Sequence, residues 1–166
     1  MSHAIKLRDA SFDDLPAILA IHNEAVLNSV AIWTTRPADL ENRKALMQAR
    51  HEAGYPFIAA TAGDELLGYG SFGDFRSGDG YGRTIEHSIY VRCDARGRGI
   101  GAMLLQRLID EALLRDKHVM IGGIEAGNTA SLALHARFGF SETGRLPEAG
   151  TKFGCWLDLV FMQKIL

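Results

Sequence analysis

The chain has 166 residues, of which 47% are hydrophobic and 23% are charged, and its formal net charge is −2. This composition is typical of a folded globular protein and excludes a disordered chain. The small negative charge provides no basic field, so we expect no nucleic-acid partner. Because no apolar run is long enough to span a bilayer and residues 1–6 lack the apolar core of a signal peptide, we expect a cytoplasmic protein without a membrane partner.

The hydrophobic pattern predicts strands and helices that fill a single domain over residues 1–166. Alternating and buried apolar runs predict seven strands, at residues 5–8, 55–60, 66–72, 84–91, 119–124, 140–145 and 156–162. Helical spacing predicts four helices, at residues 11–26, 37–53, 100–113 and 128–138. The polar, glycine-rich segment 73–82 is predicted to be a surface loop, where ligand contacts tend to gather. The order β-α-α-β-β-β-α-β-α-β-β implies a mixed α/β sheet.

The segment Arg96-Gly97-Arg98-Gly99-Ile100-Gly101 joins the strand at 84–91 to the following helix. Glycines let a backbone approach a pyrophosphate closely, and the free N–H groups at a helix N-terminus donate to its oxygens. The two arginines add positive charge at the same place. Glycine costs up to about 1 kcal/mol at each position of a helix start, so three of them favour a phosphate site over the alternative, a flexible surface loop.

Two phosphate-binding motifs match this turn. Gly97, Gly99 and Ala102 fit the dinucleotide pattern G-x-G-x-x-A, whereas Arg96, Gly99 and Gly101 fit R-x-x-G-x-G. In a dinucleotide site the first glycine directly follows a hydrophobic parallel strand. Here residues 92–96 intervene, and the preceding strand alternates polar and apolar residues as antiparallel strands do. The context therefore favours the second motif.

Over nearly its whole length the chain resembles the GNAT superfamily of acyl-CoA N-acyltransferases. The turn, the strand before it and the segment from Asn128 to Phe140 follow in the family's order, with His135 at the usual tyrosine position. Several separated segments resemble the branch of phosphinothricin, methionine sulfoximine and methionine sulfone acetyltransferases: Ala31-Ile32-Trp33, Gly54-Tyr55-Pro56, residues 68–74, residues 86–91 and Lys152-Phe153-Gly154.

The resemblance implies a GNAT-type mixed, mostly antiparallel central sheet flanked by helices. It further implies acetyl-CoA as co-substrate, a small amino-acid acceptor, direct transfer within a ternary complex, and a homodimer. We expect no metal, because no histidine spacing suggests a metal site. The apolar strand at 156–162 is a candidate for pairing between subunits.

The resemblance places the catalytic base at Glu86, on the strand beside the turn. A carboxylate suits this role, since an amine must lose a proton before it attacks a thioester. The alternative is a solvated glutamate on an exposed strand face. His135 is the second catalytic candidate, as a proton donor to the leaving thiolate, a cofactor contact or a packing residue. Cys93 is not expected to carry the acyl group, because it lacks an activating neighbour at obvious spacing.

The resemblance also assigns two sets of binding residues. Cofactor contacts are expected from Ile89, Tyr90, Val91, Arg96, Gly97, Arg98, Gly99, Ile100, Gly101, Ala102 and Asn128. Acceptor contacts are expected from Arg76, Ser77, Gly78, Glu86, His87 and Ser88. The guanidinium of Arg76 can pair bidentately with an amino-acid carboxylate. In a regular strand, His87 points to the opposite face of the sheet from Glu86.

The chain departs from the branch at Phe75-Arg76-Ser77-Gly78, where relatives usually carry a tryptophan and a second aromatic residue. A smaller aromatic ring and a glycine should enlarge the acceptor pocket, which Trp33 and Phe75 are expected to line. Acetylation of a protein N-terminus or a polyamine is one alternative. A non-catalytic acyl-CoA sensor is another, although it would not need a base at Glu86.

Overall fold

A computed structural model describes residues 4–166 and contains one seven-stranded sheet. The strands are β1 (Ile5–Asp9), β2 (Phe57–Ala62), β3 (Glu65–Asp74), β4 (Thr84–Val91), β5 (Val119–Glu125), β6 (Ser141–Lys152) and β7 (Cys155–Ile165). Their order across the sheet is β1-β2-β3-β4-β5-β7-β6, and every neighbouring pair is antiparallel except β4 with β5. The predicted mixed, mostly antiparallel α/β fold is thus confirmed.

Four α-helices flank the sheet: α1 (Leu15–Asn28), α2 (Leu40–Glu52), α3 (Ile100–Leu114) and α4 (Thr129–Arg137). The second helix starts later than the predicted residue 37. The Asp39 carboxylate accepts a hydrogen bond from the Asn42 N–H at 2.8 Å and so satisfies a free donor of the first turn. Asn128 caps α4 in the same way, accepting from the Ser131 N–H at 3.1 Å.

The two faces of the sheet carry separate hydrophobic cores, because side chains alternate along each strand. Phe57 and Ala59 of β2 pack with α1 and α2, whereas Ile58 and Ala60 pack with α3 on the other face. This explains why β2 reads as a continuous apolar run. It also fixes the direction of Glu86, which lies on the α1/α2 face because its neighbours Ile85 and His87 point to the α3 side.

The apolar pattern of α3 does not stay on one face to its end. Leu113 is 54% exposed although the adjacent Ala112 is fully buried, so an apolar residue near the end of this helix faces away from the core. The C-terminal strand β7 pairs with β6 from Cys155 onward but with β5 only from Leu159 onward, so residues 155–158 have a strand partner on one side. Pairing of this strand between subunits stays a prediction. None of the described helices is long and apolar enough to cross a membrane.

Candidate active site

The only parallel pair of strands in the described sheet separates partway along its length. β4 and β5 pair from Thr84 with Val119 to Glu86 with Ile121, and no further pairing is formed although both strands continue. The strand ends therefore diverge and open a gap through the sheet. A cleft of about 600 Å³ occupies this gap. It is lined by the end of β4, the glycine turn, β5, α4 and the end of α1.

The glycine turn forms one wall of the cleft. Gly97 and Gly99 have φ angles of +75° and +79°, the left-handed region that favours glycine. A Cβ at either position would meet no atom within 4 Å, so the space in front of the turn is open. Gly99 is the N-cap of α3 and supplies no side-chain acceptor, which leaves the N–H groups of the first helical turn available. These features fit the pyrophosphate of a nucleotide cofactor.

Most of the predicted cofactor residues line the cleft. They are Ile89, Tyr90, Val91, Arg96, Gly97, Gly99, Ile100, Gly101 and Asn128. Arg98 and Ala102, which were also predicted, do not line it. Arg96 is held beside the turn, where its Nε donates to the Val91 carbonyl at 3.3 Å and its guanidinium lies 3.9 Å from the Glu24 carboxylate.

Glu86 lies at the point where β4 and β5 separate. Its side chain borders the cleft from the α1/α2 side, because a Cβ at the cleft-lining Gly123 would lie 3.1 Å from Glu86 Oε1. Burial raises the pKa of Glu86 above its ordinary value, and the positive charges of Arg76 and Arg50 partly oppose this. A carboxylate with a raised pKa beside a cleft is suited to accept a proton.

A buried pair of histidines lies across the sheet from Glu86. The Nε2 atoms of His87 and His135 are 2.9 Å apart, and both rings line the cleft. Each Nδ1 faces a backbone carbonyl, that of Ile121 at 2.9 Å for His87 and that of Ser131 at 2.7 Å for His135. His87 thus points away from Glu86, as the alternation predicted, and contacts the second catalytic candidate.

The hydrogen bonds of this pair limit its protonation. Carbonyl oxygens only accept, so each Nδ1 must carry a hydrogen if both carbonyl contacts are hydrogen bonds. The facing Nε2 atoms then need one further hydrogen between them. Burial lowers the pKa of both rings, that of His87 to about 3, with the charge of His135 as a further cause for His87. Desolvation therefore opposes the additional proton that the hydrogen-bond geometry would favour.

Gly122 of β5 provides the space for the pair. A Cβ at this position would lie 2.9 Å from His87 Cε1 and 3.2 Å from His135 Nε2. The adjacent Gly123 gives the same kind of room to Glu86 on the other face. Two glycines inside a buried strand were a signal that another group approaches the backbone closely. Sequence reasoning described this strand but did not include it in the site.

The predicted acceptor residues fall into two groups. Ser88 and His87 line the cleft, whereas Glu86 is not among the lining residues and lies next to the lining residue Gly123. Arg76, Ser77 and Gly78 are exposed in the loop after β3 and do not line it, although the charge of Arg76 reaches Glu86. The guanidinium of Arg76 lies 5.0 Å from the centroid of the Phe75 ring.

The two aromatic residues expected at the acceptor pocket are outside the cleft lining. Phe75 packs against Phe161 and Tyr81, with ring centroids 6.3 and 6.2 Å away. Trp33 donates from Nε1 to the Val30 carbonyl at 3.0 Å and lies so close to Gly150 that a Cβ there would overlap its ring. Trp33 therefore fixes the segment after α1 against β6.

The remaining reactive side chains form no further centre in the part of the chain that the structure describes. Cys93 and Cys155 are free and exposed. No group of three or more histidine, cysteine, aspartate or glutamate side chains within residues 4–166 is arranged to hold a metal ion.

The site combines a glycine turn at the start of α3 with two parallel strands, β4 and β5, that diverge beside the Glu86 carboxylate. A comparison of the sequence with models of protein families agrees with this arrangement. The model of the acetyltransferase (GNAT) family matches residues 18–140. The chain belongs to the GNAT family. It is therefore an acetyltransferase that uses acetyl-CoA, and the glycine turn and the cleft are the features that fit this co-substrate.

Individual GNAT relatives match almost the whole chain. The L-methionine sulfoximine/L-methionine sulfone acetyltransferase of Pseudomonas paraeruginosa is 53% identical over 158 residues, covering 95% of this chain and 92% of the relative. The phosphinothricin N-acetyltransferase of Alcaligenes faecalis is 38% identical over 164 residues, covering 98% and 83%. The yncA product of Salmonella typhimurium, solved with its cofactor acetyl-CoA, has a TM-score of 0.96 at 48% identity, covering 98% and 94%.

Proposed function

We propose that this GNAT enzyme transfers an acetyl group from acetyl-CoA directly to the α-amine of a small amino acid. The observation that carries the proposal is the Glu86 carboxylate at the branch point of β4 and β5, bordering the cleft at Gly123. The proposed acceptors carry a tetrahedral sulfur or phosphorus group, as methionine sulfone, methionine sulfoximine and phosphinothricin do. Support for this class comes from the names of the relatives that match nearly all of the chain.

Glu86 is proposed to take the first proton from the acceptor ammonium. At neutral pH the amino group of an amino acid is largely protonated and has no lone pair for attack. Removal of this proton by Glu86, directly or through a water molecule, yields the free amine. The amine then forms a C–N bond to the acetyl carbon while the C–S bond breaks. N–H groups of β4 near Val91, freed from pairing by the divergence of β5, are proposed to stabilise the thioester oxygen.

His135 is proposed to serve the leaving group. The nitrogen loses a second proton after attack, and His135 is proposed to accept this proton on Nε2 and pass it to the departing thiolate, so that the pair needs no additional proton beforehand. The His87–His135 pair lines the cleft on the face opposite Glu86, so base and acid approach the reacting atoms from different sides of the sheet. The contact from His87 holds the imidazole of His135 in place.

We propose that the enzyme acts as a cytoplasmic homodimer without nucleic-acid or membrane partners. The dimer contact is proposed at the outer strand β6 and its hairpin to β7. Leu146, Phe153 and Trp156 expose 48%, 59% and 66% of their surface there, which supports an interface.

An acetyl-CoA consumption assay against a panel of amino acids and analogues tests the proposal. We expect transfer to at least one of methionine sulfone, methionine sulfoximine and phosphinothricin. Glu86→Gln should reduce turnover by about 10²- to 10⁴-fold, as for the loss of a general base. The wild-type rate should rise with pH through the raised pKa of Glu86, because only its ionised form accepts a proton.

The Gln variant also separates catalysis from folding. The raised pKa means that ionised Glu86 is penalised in the folded state, so its contribution to stability is present at low pH and is lost as pH rises. Glu86→Gln should therefore unfold at a slightly higher temperature than wild type at pH 7. Near-normal turnover in this variant would refute the role of Glu86 as general base. Lack of transfer to all three acceptors would refute the acceptor class, and transfer to peptide N-termini or polyamines would identify the alternative.

A further inference from the structure

Arg50, near the end of α2, carries a guanidinium that forms no ion pair within residues 4–166, although its charge acts on Glu86. Its Nε is buried without a hydrogen-bond partner. The described ion pairs use other arginines, namely Arg8, Arg83, Arg92, Arg96, Arg107, Arg115 and Arg145. Burying a polar donor without a partner costs free energy, and an anionic ligand that pairs with this guanidinium would recover that cost.

The backbone holds this guanidinium beside the catalytic carboxylate. A Cβ at Gly73 would occupy the place of the guanidinium, so Arg50 lies directly over the Gly73 backbone. Gly73 pairs with Glu86 across the antiparallel strands β3 and β4. Residues directly opposite in such a pair share one face of the sheet, with Cβ atoms about 5 Å apart. Arg50 and Glu86 are therefore neighbours on the α1/α2 face, yet they form no ion pair with each other.

This arrangement matches the charges of an α-amino acid. The amine and the carboxylate of such a molecule are attached to the same carbon, so its binding site needs an acceptor and a cation side by side. Glu86 supplies the acceptor for the amine. A guanidinium presents paired N–H donors that fit a carboxylate bidentately. Arg50 lies over the sheet beside Glu86, whereas Arg76 is exposed in a loop and stacks on Phe75.

We propose that Arg50 binds the α-carboxylate of the acceptor and so orients its amine toward Glu86. The inference rests on the proposed amino-acid acetyltransferase activity and specifies how the enzyme selects amino acids over simple amines. In this arrangement Gly73 is required at its position because any side chain would displace the guanidinium. Arg76 remains free to contact the oxygen atoms of the acceptor's side chain.

The test compares methionine sulfone with its α-carboxamide, which differ in the charge of one group. Arg50→Met should reduce kcat/KM for the acid by about 10- to 100-fold, as expected for loss of hydrogen bonds to a charged group. It should leave the KM for acetyl-CoA unchanged. At a pH above the raised pKa of Glu86, where loss of the Arg50 charge no longer alters the ionisation of that carboxylate, kcat/KM for the carboxamide should also be unchanged. Arg50→Lys should recover part of the loss. Lys44→Met removes an exposed positive charge from the same helix and should behave as wild type.

Three results would overturn the inference. An equal loss with acid and carboxamide would assign Arg50 a purely structural role. An unchanged preference for the acid would place carboxylate binding elsewhere. If Arg50→Met instead reduces the preference for methionine sulfone over methionine, as measured by kcat/KM, Arg50 would be assigned to the sulfone oxygens.

Calorimetric titration of methionine sulfone into the complex of the enzyme with CoA measures acceptor binding without acetyl transfer, and so tests the role of Arg50 independently of catalysis. Weaker binding of the acid to Arg50→Met, with unchanged binding of CoA, supports Arg50 even if wild-type enzyme transfers no acetyl group to this compound. In that case the proposed acceptor activity fails while the carboxylate site stands. If the Met variant does not fold, Arg50→Lys with the same pair of ligands gives the same comparison.

Discussion

Lys152, at the end of β6, provides a quantitative test of how the cleft is supported. Its side chain is almost fully buried, with 2% of its surface exposed. The ammonium donates to three backbone carbonyls, those of Val26 and Ser29 at 2.6 Å each and that of Ile32 at 2.5 Å. The first two belong to the C-terminal end of α1, where a positive charge is favoured by the helix dipole. One lysine therefore binds α1 and the segment after it to β6.

The substitution Lys152→Met keeps most of the apolar side chain and removes the ammonium. The Val26 carbonyl is buried and would lose its bond to Lys152 at a cost of about 1–3 kcal/mol, whereas the carbonyls of Ser29 and Ile32 are partly buried and can reach water at a smaller cost. Burial lowers the pKa of Lys152, so relief from desolvation offsets part of this loss. We expect the free energy of unfolding to fall by roughly 2–4 kcal/mol.

Urea unfolding followed by the fluorescence of Trp33 and Trp156 measures this change. A loss of that size should lower Tm by roughly 5–15 °C in a chain of this length. Because residues 29–31 line the cleft, the KM for acetyl-CoA should also rise. Lys44→Met, on the exposed side of α2, is the matched control and should unfold as wild type does. An unfolding midpoint for Lys152→Met equal to that of the control, with an unchanged slope, would refute the reasoning.

Two further predictions concern the histidine pair and the glycine turn. The pKa of His87 is lowered to about 3 in the folded protein, so as pH falls the unfolded chain takes up a proton on this ring at a higher pH than the folded chain does. The free energy of unfolding should therefore decline as pH falls from about 6.5 toward 3. His87→Asn should flatten that decline in urea midpoints measured across this range, and an unchanged decline would contradict the burial argument. Gly99→Ala forces alanine into a left-handed conformation that costs about 1–2 kcal/mol, and we expect a higher KM for acetyl-CoA. Gly54→Ala has comparable strain, with φ +71° and open space, but lies away from the cleft, so equal KM values in the two variants would exclude a cofactor role for the turn.

Much of the fold could be predicted from local patterns. The alternation of β4 and the helical spacing of α3 depend on neighbouring residues in the chain, and both elements were predicted close to their observed positions. Element ends were less accurate. The start of α2 depends on a side-chain cap at Asp39, and β6 extends to Lys152 because β7 pairs with it over that length.

The candidate site divides in the same way. The glycine turn was predicted from its local sequence, and Glu86 was proposed as the base from the resemblance to the GNAT family. Gly122, Arg50 and Lys152 could not be found in this way, since their importance comes from residues far away in sequence. Gly122 makes room for His87 and His135, and Arg50 acquires its position from Gly73 and Glu86 across the sheet.

The sequence by itself determined the family, the order of the elements and the place where the pyrophosphate of acetyl-CoA fits, because these depend on contiguous residues and their spacing. Only the tertiary structure decided that β4 and β5 diverge after Glu86, that His87 faces His135, and that β7 lies between β5 and β6. These features depend on strand order and register. Register assigns each side chain to one face of the sheet, and a pattern along one strand does not specify its neighbours.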